Sequence, residues 1–231
     1  MTLCYSLLLF CLMSTTSHAL KIAILTGTTR TAGPPRPILG PRIARFLEST
    51  LERRGHVITT IVDPRQLPHL EKPHFSYAPS QVPPVLQEIH DLLQDADAYV
   101  AITPEFNHAP SPGLLNTLNH FGSSVFGFKP SVIVSYSPSQ WGGVRAAHTL
   151  RPILSELGCL PVSAMIHIPM AQDVVKEDGT LVDDTWLKYT DRSLSQLEWW
   201  AEAARNQRLL QDPYATSPAF QSSPDQRNAP Q

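Results

Sequence analysis

"AITPEFNHAPSPGLLNTLNHFG", residues 101–122, starts as an apolar, β-branched run, passes through Pro, Glu, Asn, His and two further prolines, and turns helical after Gly113. An apolar strand that ends in a polar, proline-studded connection and leads into a helix is the signature of a βα unit, with the connection at the carboxyl end of the strand. Pro104 is expected to stop the strand. Glu105, Phe106, Asn107 and His108 would then be held open between Pro104 and the pair Pro110 and Pro112. Such a loop can offer backbone amides, the Asn107 amide and the Phe106 ring to a flat polar ligand, or it can be a connection with no ligand at all.

Working outward, the same alternation recurs. Near-continuous apolar runs over Lys21–Thr26, Val57–Asp63, Ala98–Thr103, Ser131–Ser137 and Val162–Ile168 read as five strands covered on both faces. Amphipathic segments at Pro41–Arg54, Pro83–Asp95, Gly113–His120, Gly143–Leu157 and Trp186–Arg208 read as helices. Gly40-Pro41 is expected to open the first helix, Gly55 and Gly158 to end two others, Pro152 to kink the fourth, and Asp178-Gly179 to make a turn between Val175 and Leu181. Strands joined by right-handed crossovers give an α/β doubly wound sheet, whose ligands bind beyond the carboxyl ends of the strands.

Two further loops share that edge. After the first strand, Gly27, Thr28, Thr29 and Arg30 combine backbone N–H groups, hydroxyls and a guanidinium ahead of a helix, a set that favours an anion but is also ordinary turn chemistry. After the fourth, Ser135, Tyr136 and Ser137 lead to Trp141, Gly142 and Gly143, where the glycines permit close backbone approach or simply begin the helix.

Composition narrows the function classes. With 42% hydrophobic and 16% charged residues the 231-residue chain suits one compact α/β domain, and a net charge of −2 without a Lys/Arg block argues against a nucleic-acid partner. Residues 1–19 read as a secretory leader through the apolar run Leu3–Met13 and the Ser17-His18-Ala19 site, but lack a basic start; the alternative is an extension ahead of a cytosolic domain beginning near Leu20. The protein is accordingly expected to be secretory or cytoplasmic. The run is too short for a membrane span. Residues 20–210 form the domain and residues 211–231, rich in Pro, Ser and Gln, a disordered tail. Cys159 is the lone cysteine of the domain, which leaves it no internal disulfide partner. The fingerprints GxGxxG, Walker A, GxSxG and HExxH are all absent.

The blocks "GTTRTAGPPRPILGPRIARFL" (27–47), "TPEFNHAPSPGLLNTLNHF" (103–121), "SYSPSQWGGVRAAHTLRPIL" (135–154) and "EDGTLVDDTWLKYTDRSLSQLEWWAEA" (177–203) together resemble the NADPH-dependent FMN reductase family, over about Leu20 to Arg208. The resemblance implies a flavodoxin-like three-layer fold, five parallel strands in the order 2-1-3-4-5. It implies FMN as cofactor and NADPH or NADH as electron donor. Hydride would pass to the flavin and on to a small-molecule electron acceptor in ping-pong fashion. By the same resemblance Gly27, Thr28, Arg30 and Arg36 surround the FMN phosphate. Pro104, Glu105, Phe106 and Asn107 border the ribityl chain and isoalloxazine, and Ser135, Tyr136, Ser137, Trp141, Gly142 and Gly143 line the ring.

A homodimer is expected, held without an ion pair, because Leu115 and Asn119 stand where the family often carries Lys and Asp. The Thr31–Pro37 insertion lengthens the phosphate loop with three prolines that donate no N–H, which would weaken FMN binding. Two rival readings remain. One is a flavodoxin-type carrier, against which the small net charge speaks; the other is a flavodoxin-like binding protein without flavin or redox activity.

Overall fold

The computed structural model describes residues 19–34 and 37–216. The candidate leader, apart from Ala19, and Arg36 lie outside the described residues. Strands β1 (Lys21–Thr26), β2 (Val57–Val62), β3 (Ala98–Phe106), β4 (Ala109–Pro110), β5 (Pro130–Tyr136), β6 (Leu160–Pro161) and β7 (Ile166–Ile168) form the sheet. Its order is β2-β1-β3-β5-β6, with β7 also on β5 and β4 on β3. All pairs are parallel except β3 with β4. This is the flavodoxin-like doubly wound order, with β5 as the expected fourth strand and β6 and β7 sharing the place of the fifth.

Successive residues of a strand point to opposite faces, and in β1, β3 and β5 both faces are covered, which is why they read as unbroken apolar runs, whereas the edge strand β2, expected to be covered too, is only partly buried. Ile22, Ile24, Val100, Ile102, Val132 and Val134 pack against α1 (Leu39–Arg53) and the long helix near the C-terminus. Ala23, Leu25, Tyr99, Ala101 and Ile133 face the opposite layer of α2 (Pro84–Asp95), α3 (Pro112–Phe121), the single turn α4 (Ser123–Phe126) and α5 (Val144–Glu156). After the short α6 (Ala171–Val174) the 26-residue α7 (Thr185–Leu210) closes the first face. Arg54 and His56 tie it down, gripping Glu198; burial opposes the charge of Glu198, but these partners outweigh it and hold its carboxyl at about 2. A last turn, α8 (Pro213–Thr216), extends past Gln211 into the expected tail, and its Tyr214 hydroxyl donates to Ser124 O at 2.7 Å.

Four local expectations need correction. Pro104 does not stop β3, which continues to Phe106 because its last residues pair with β4 and need no N–H from Pro104. The expected open loop is therefore a tight hairpin. Asn107 and His108, at φ 50° and 66°, form a two-residue turn with both residues left-handed, the geometry that matches strand twist. Helix α1 starts at Leu39, ahead of the Gly40-Pro41 start expected for it. Finally, Val162–Ile168 is not one strand. After Val162, whose N–H still donates to Ser131 O, the chain arcs off the sheet until Ile166; Arg151 caps the carbonyls of Pro161, Val162 and Ser163, and Gln196 accepts from Ala164 N. The stop signals at Gly55 and Gly158 are borne out, with φ of 89° and 70°. So is the Asp178-Gly179 turn, across which Val175 and Leu181 bridge.

At the amino end of the sheet, away from the loops discussed above, the Lys129 ammonium is buried and donates to Leu93 O (3.2 Å), Gln94 O (2.7 Å) and the Tyr99 hydroxyl (3.2 Å). Burial, reinforced by nearby Arg208, lowers its pKa from 10.5 to about 7. Between these values the unfolded chain binds the proton that the folded chain has released, so stability rises with pH through that window and is flat below it. Denaturant midpoints should show a gain of about 1–2 kcal/mol between pH 7 and 8.5. Lys129→Met should abolish that gain; an unchanged slope in the variant would remove Lys129 as its source.

Candidate functional site

The carboxyl ends of β1, β3 and β5 enclose a cavity of about 300 Å³, at the small end for ligand clefts. Thr28 and Arg30 come to it from the loop after β1, Ile38 and Leu39 from the start of α1, Pro104, Glu105 and Phe106 from the end of β3, and Tyr136, Ser137 and Pro138 from the end of β5. All three loops singled out in the sequence thus meet on one rim. The reason is register: Thr26 lies beside Ile102 and Pro104 beside Tyr136, so the strands end level with one another.

Each polar group has a distinct state. Tyr136 is buried with its hydroxyl bonded to Thr28; burial raises its pKa well above 10, so the phenol stays protonated. Arg30 is folded onto its own loop, donating to Ala32 O (3.2 Å) and Pro34 O (2.6 Å), with Gly33 at φ 94° making room for the guanidinium. Ser137 Oγ donates to Ser139 O at 3.0 Å within its own turn. Glu105 faces Arg145 through Oε1 at 3.4 Å, while its Oε2 is buried without a hydrogen-bond partner. The set offers hydroxyls, a guanidinium, a carboxylate and flat apolar walls.

Other expected site residues stand behind or beside the cavity rather than in its wall. Gly27 is pressed against α3: a Cβ there would lie 2.3 Å from Ser111 Oγ and 2.9 Å from Ile102 O. Ser135 is fully buried and donates to Gly142 O at 2.8 Å, with His167 Nδ1 at 2.8 Å on the same hydroxyl. Gly142 and Gly143, at φ 58° and 75°, fold the β5–α5 turn tightly onto Ile168 and Tyr136. Asn107 occupies the hairpin turn and Trp141 the exposed outer side of the β5–α5 turn. Arg36 lies outside the described residues.

Sequence reasoning missed Ile38, Leu39 and Pro138 in the wall, and Arg42 behind it. Arg42 is buried, and donates to Pro37 O (2.9 Å) and Val175 O (3.1 Å), tying the loop after β1 to the turn before α7. Its position, three after Leu39 and four before Phe46, lies on the buried stripe of α1, so the helical period was the signal that could have found it. Ile38 and Leu39 were detectable only by starting α1 earlier. Among the described residues no group of three or more His, Cys, Asp or Glu is arranged to hold a metal, and no helix is long and apolar enough to cross a membrane.

Gly40 brings α1 against two residues of the cavity wall. A Cβ there would fall 2.5 Å from Thr28 Cγ2 and 2.9 Å from the Tyr136 hydroxyl, both on buried side chains. Gly40→Ala should cost about 1–3 kcal/mol in thermal or chemical unfolding, the range for overpacking. A neutral effect would show that α1 can back away from the cavity.

Similar proteins bear on what such a rim holds. An NAD(P)H-dependent FMN reductase of Pseudomonas aeruginosa is 28% identical over 127 residues, 53% of this chain and 69% of that protein. A 2-hydroxy-1,4-benzoquinone reductase of a Burkholderia species is 25% identical over 192 residues, 81% of this chain and 99% of that one. Among solved structures, the flavoenzyme NAD(P)H:(acceptor) oxidoreductase FerB from Paracoccus denitrificans superposes with a TM-score of 0.66 at 20% identity, covering 80% of this chain and 99% of that chain. That last likeness concerns the fold. The sequence profile of NADPH-dependent FMN reductases matches residues 20–173, from the residue before β1 into α6 and across every loop of the rim, and the chain belongs to that family.

Proposed function

We propose that this member of the family reduces quinones and related small acceptors with NAD(P)H, using FMN held in the cavity at the ends of β1, β3 and β5, by a ping-pong sequence. The observation that carries the reading is the lining of the cavity, which brings Thr28 and Arg30 together with the flat or apolar surfaces of Leu39, Pro104, Phe106 and Tyr136. The hydroxyl and guanidinium suit a phosphate, and the surfaces a flat ring system. The unpartnered Glu105 Oε2 is an acceptor awaiting an O–H or N–H donor, which a ribityl chain or a ring edge provides. The relatives named above as FMN and benzoquinone reductases point to the same chemistry.

When bound, FMN supplies the two-electron chemistry that carries hydride equivalents from the nicotinamide to the acceptor. The residues of the chain position and insulate. Thr28 and Arg30 anchor the phosphate, Arg30 by exchanging the carbonyls of its own loop for a charge-assisted bond. Tyr136, kept protonated and bonded to Thr28, is a rigid wall rather than a proton donor at neutral pH. Cys159 is sealed in the core with its thiol pushed up to about 12 by burial, which removes it as a nucleophile. We also propose a homodimer; Leu115 on α3 is half-buried and Asn119 exposed, so an ion pair between those positions plays no part in holding it.

Arg30→Ala should weaken FMN binding by about 1.5–3 kcal/mol and leave riboflavin binding nearly unchanged. Equal losses for both flavins, measured by fluorescence titration, would sink the phosphate assignment. Steady-state NADPH oxidation by the FMN-loaded protein against quinone, azo and nitroaromatic acceptors should give parallel double-reciprocal lines. Single alanine variants at His108, Ser137 and Cys159 should keep substantial activity at saturating FMN. Intersecting lines would contradict a shared site for donor and acceptor, and a dead variant with flavin fully bound would reveal side-chain catalysis.

A further inference from the structure

Beside the cavity mouth lies a cluster that neither the fold nor the flavin site explains. Trp141, on the β5–α5 turn, is 54% exposed. The guanidinium of Arg145 sits over its indole at 5.1 Å from the ring centre. One edge of that guanidinium reaches Glu105 Oε1 at 3.4 Å, and Glu105 is itself part of the cavity wall. The guanidinium has no other hydrogen-bond partner among the described residues, and its side chain is 39% exposed. The cluster therefore bridges the cavity and open solvent.

Three physical points argue against a stabilising role. At 3.4 Å with its Arg145 side 39% exposed, the ion pair contributes about 1 kcal/mol or less. Arg145 stands in the first turn of α5, where the positive end of the helix dipole disfavours a cation. Trp141 is 54% exposed and is absent from the hydrophobic core, so it adds little to the packing. What the cluster does present is an indole, more than half exposed, with a planar guanidinium over one face and most of that guanidinium's donors free, an arrangement that can receive an aromatic ring bearing an anionic group.

We propose that Trp141 and Arg145 form a second-substrate subsite at the mouth of the cavity, taking an anionic aromatic group with its ring on the indole and its anion in the guanidinium fork. The proposal rests on the oxidoreductase reading above and names the ligand class which that site selects. Two sources share the chemistry: the 2′-phosphoadenosine end of NADPH, and an aryl acceptor bearing a sulfonate or carboxylate. Glu105 acts as the competing anion, holding Arg145 in place in the free enzyme and weakening its grip on the incoming group.

The test uses FMN-saturated protein without electron donor and reads binding by calorimetry, so it does not depend on turnover. The probes are 2′,5′-ADP against 5′-AMP, and naphthalene-2-sulfonate against naphthalene-2-sulfonamide. At least one of 2′,5′-ADP and naphthalene-2-sulfonate should bind wild type about tenfold or more tightly than its counterpart, and Arg145→Ala should erase that preference. Trp141→Ala should weaken both members of the responding pair, and Glu105→Gln should tighten the more anionic one severalfold. A response limited to 2′,5′-ADP assigns the subsite to the NADPH end, and one limited to the sulfonate assigns it to the acceptor. The absence of any preference in wild type, or a preference unaltered in both Arg145→Ala and Arg145→Gln, overturns the proposal. Visible flavin spectra and melting curves confirm that each variant is folded and loaded. Wild-type protein that prefers the anionic probes yet never oxidises NAD(P)H with any acceptor would instead refute the oxidoreductase reading.

Discussion

The parallel pairing of β3 with β5, from Tyr99 beside Ser131 to Pro104 beside Tyr136, is the contact on which the rest of the molecule depends. All seven residues of β5 are buried, and β3 is buried from Ala98 to Thr103. Helices must therefore cover both faces, and polar groups can emerge only at the strand ends. The same register sets Pro104 and Tyr136 side by side at the carboxyl edge, where they become adjacent walls of the cavity. A one-residue slip would exchange the two core faces throughout and carry Tyr136 away from Thr28.

The site at that edge is built by close approach more than by reactive groups. Gly40 lets α1 touch Thr28 and Tyr136, Gly27 lets α3 press its first turn against the loop after β1, and Gly142 and Gly143 fold the last loop onto β5 and β7. Such packing holds a planar ligand in register without supplying acid or base. This agrees with a reaction whose difficult step belongs to the cofactor, where misplacement by about 1 Å costs on the order of a hundredfold in rate. Of the charged groups at the site, Arg30 and Glu105 stand in the cavity wall and Arg145 beside it on Glu105.

The two ends of the sheet are built differently. At the carboxyl edge polar groups are left with spare capacity, as Glu105 Oε2 shows. At the amino edge the two largest buried polar side chains are engaged: Tyr99 bonds to Leu93 O and Val125 O, and Lys129 caps the last carbonyls of α2. Saturated polar groups rigidify a core, whereas unsaturated ones beside a cavity call for a ligand.

The sequence alone determined the strand and helix succession, because burial on both sheet faces writes itself as apolar runs and because Gly55 and Gly158 mark helix ends by a backbone state few other residues adopt. It also determined which three loops share the carboxyl edge of the sheet, since parallel strands joined by crossovers put their following loops on one side. Only tertiary structure decided how those loops are shaped. Pro104 looked like a stop, yet antiparallel pairing with Ala109–Pro110 carried β3 on to Phe106 and turned an expected open loop into a hairpin. Pro161 split the fifth strand, since Arg151 and Gln196 could satisfy the backbone that left the sheet. Gly27 and Ser135 went to packing behind the cavity, and Trp141 went outside it to meet Arg145 and, through it, Glu105, 40 residues from Arg145 along the chain. Local propensity carries no information about such partners, because hydrogen bonds and ring contacts across that separation exist only once the sheet has brought the strand ends together.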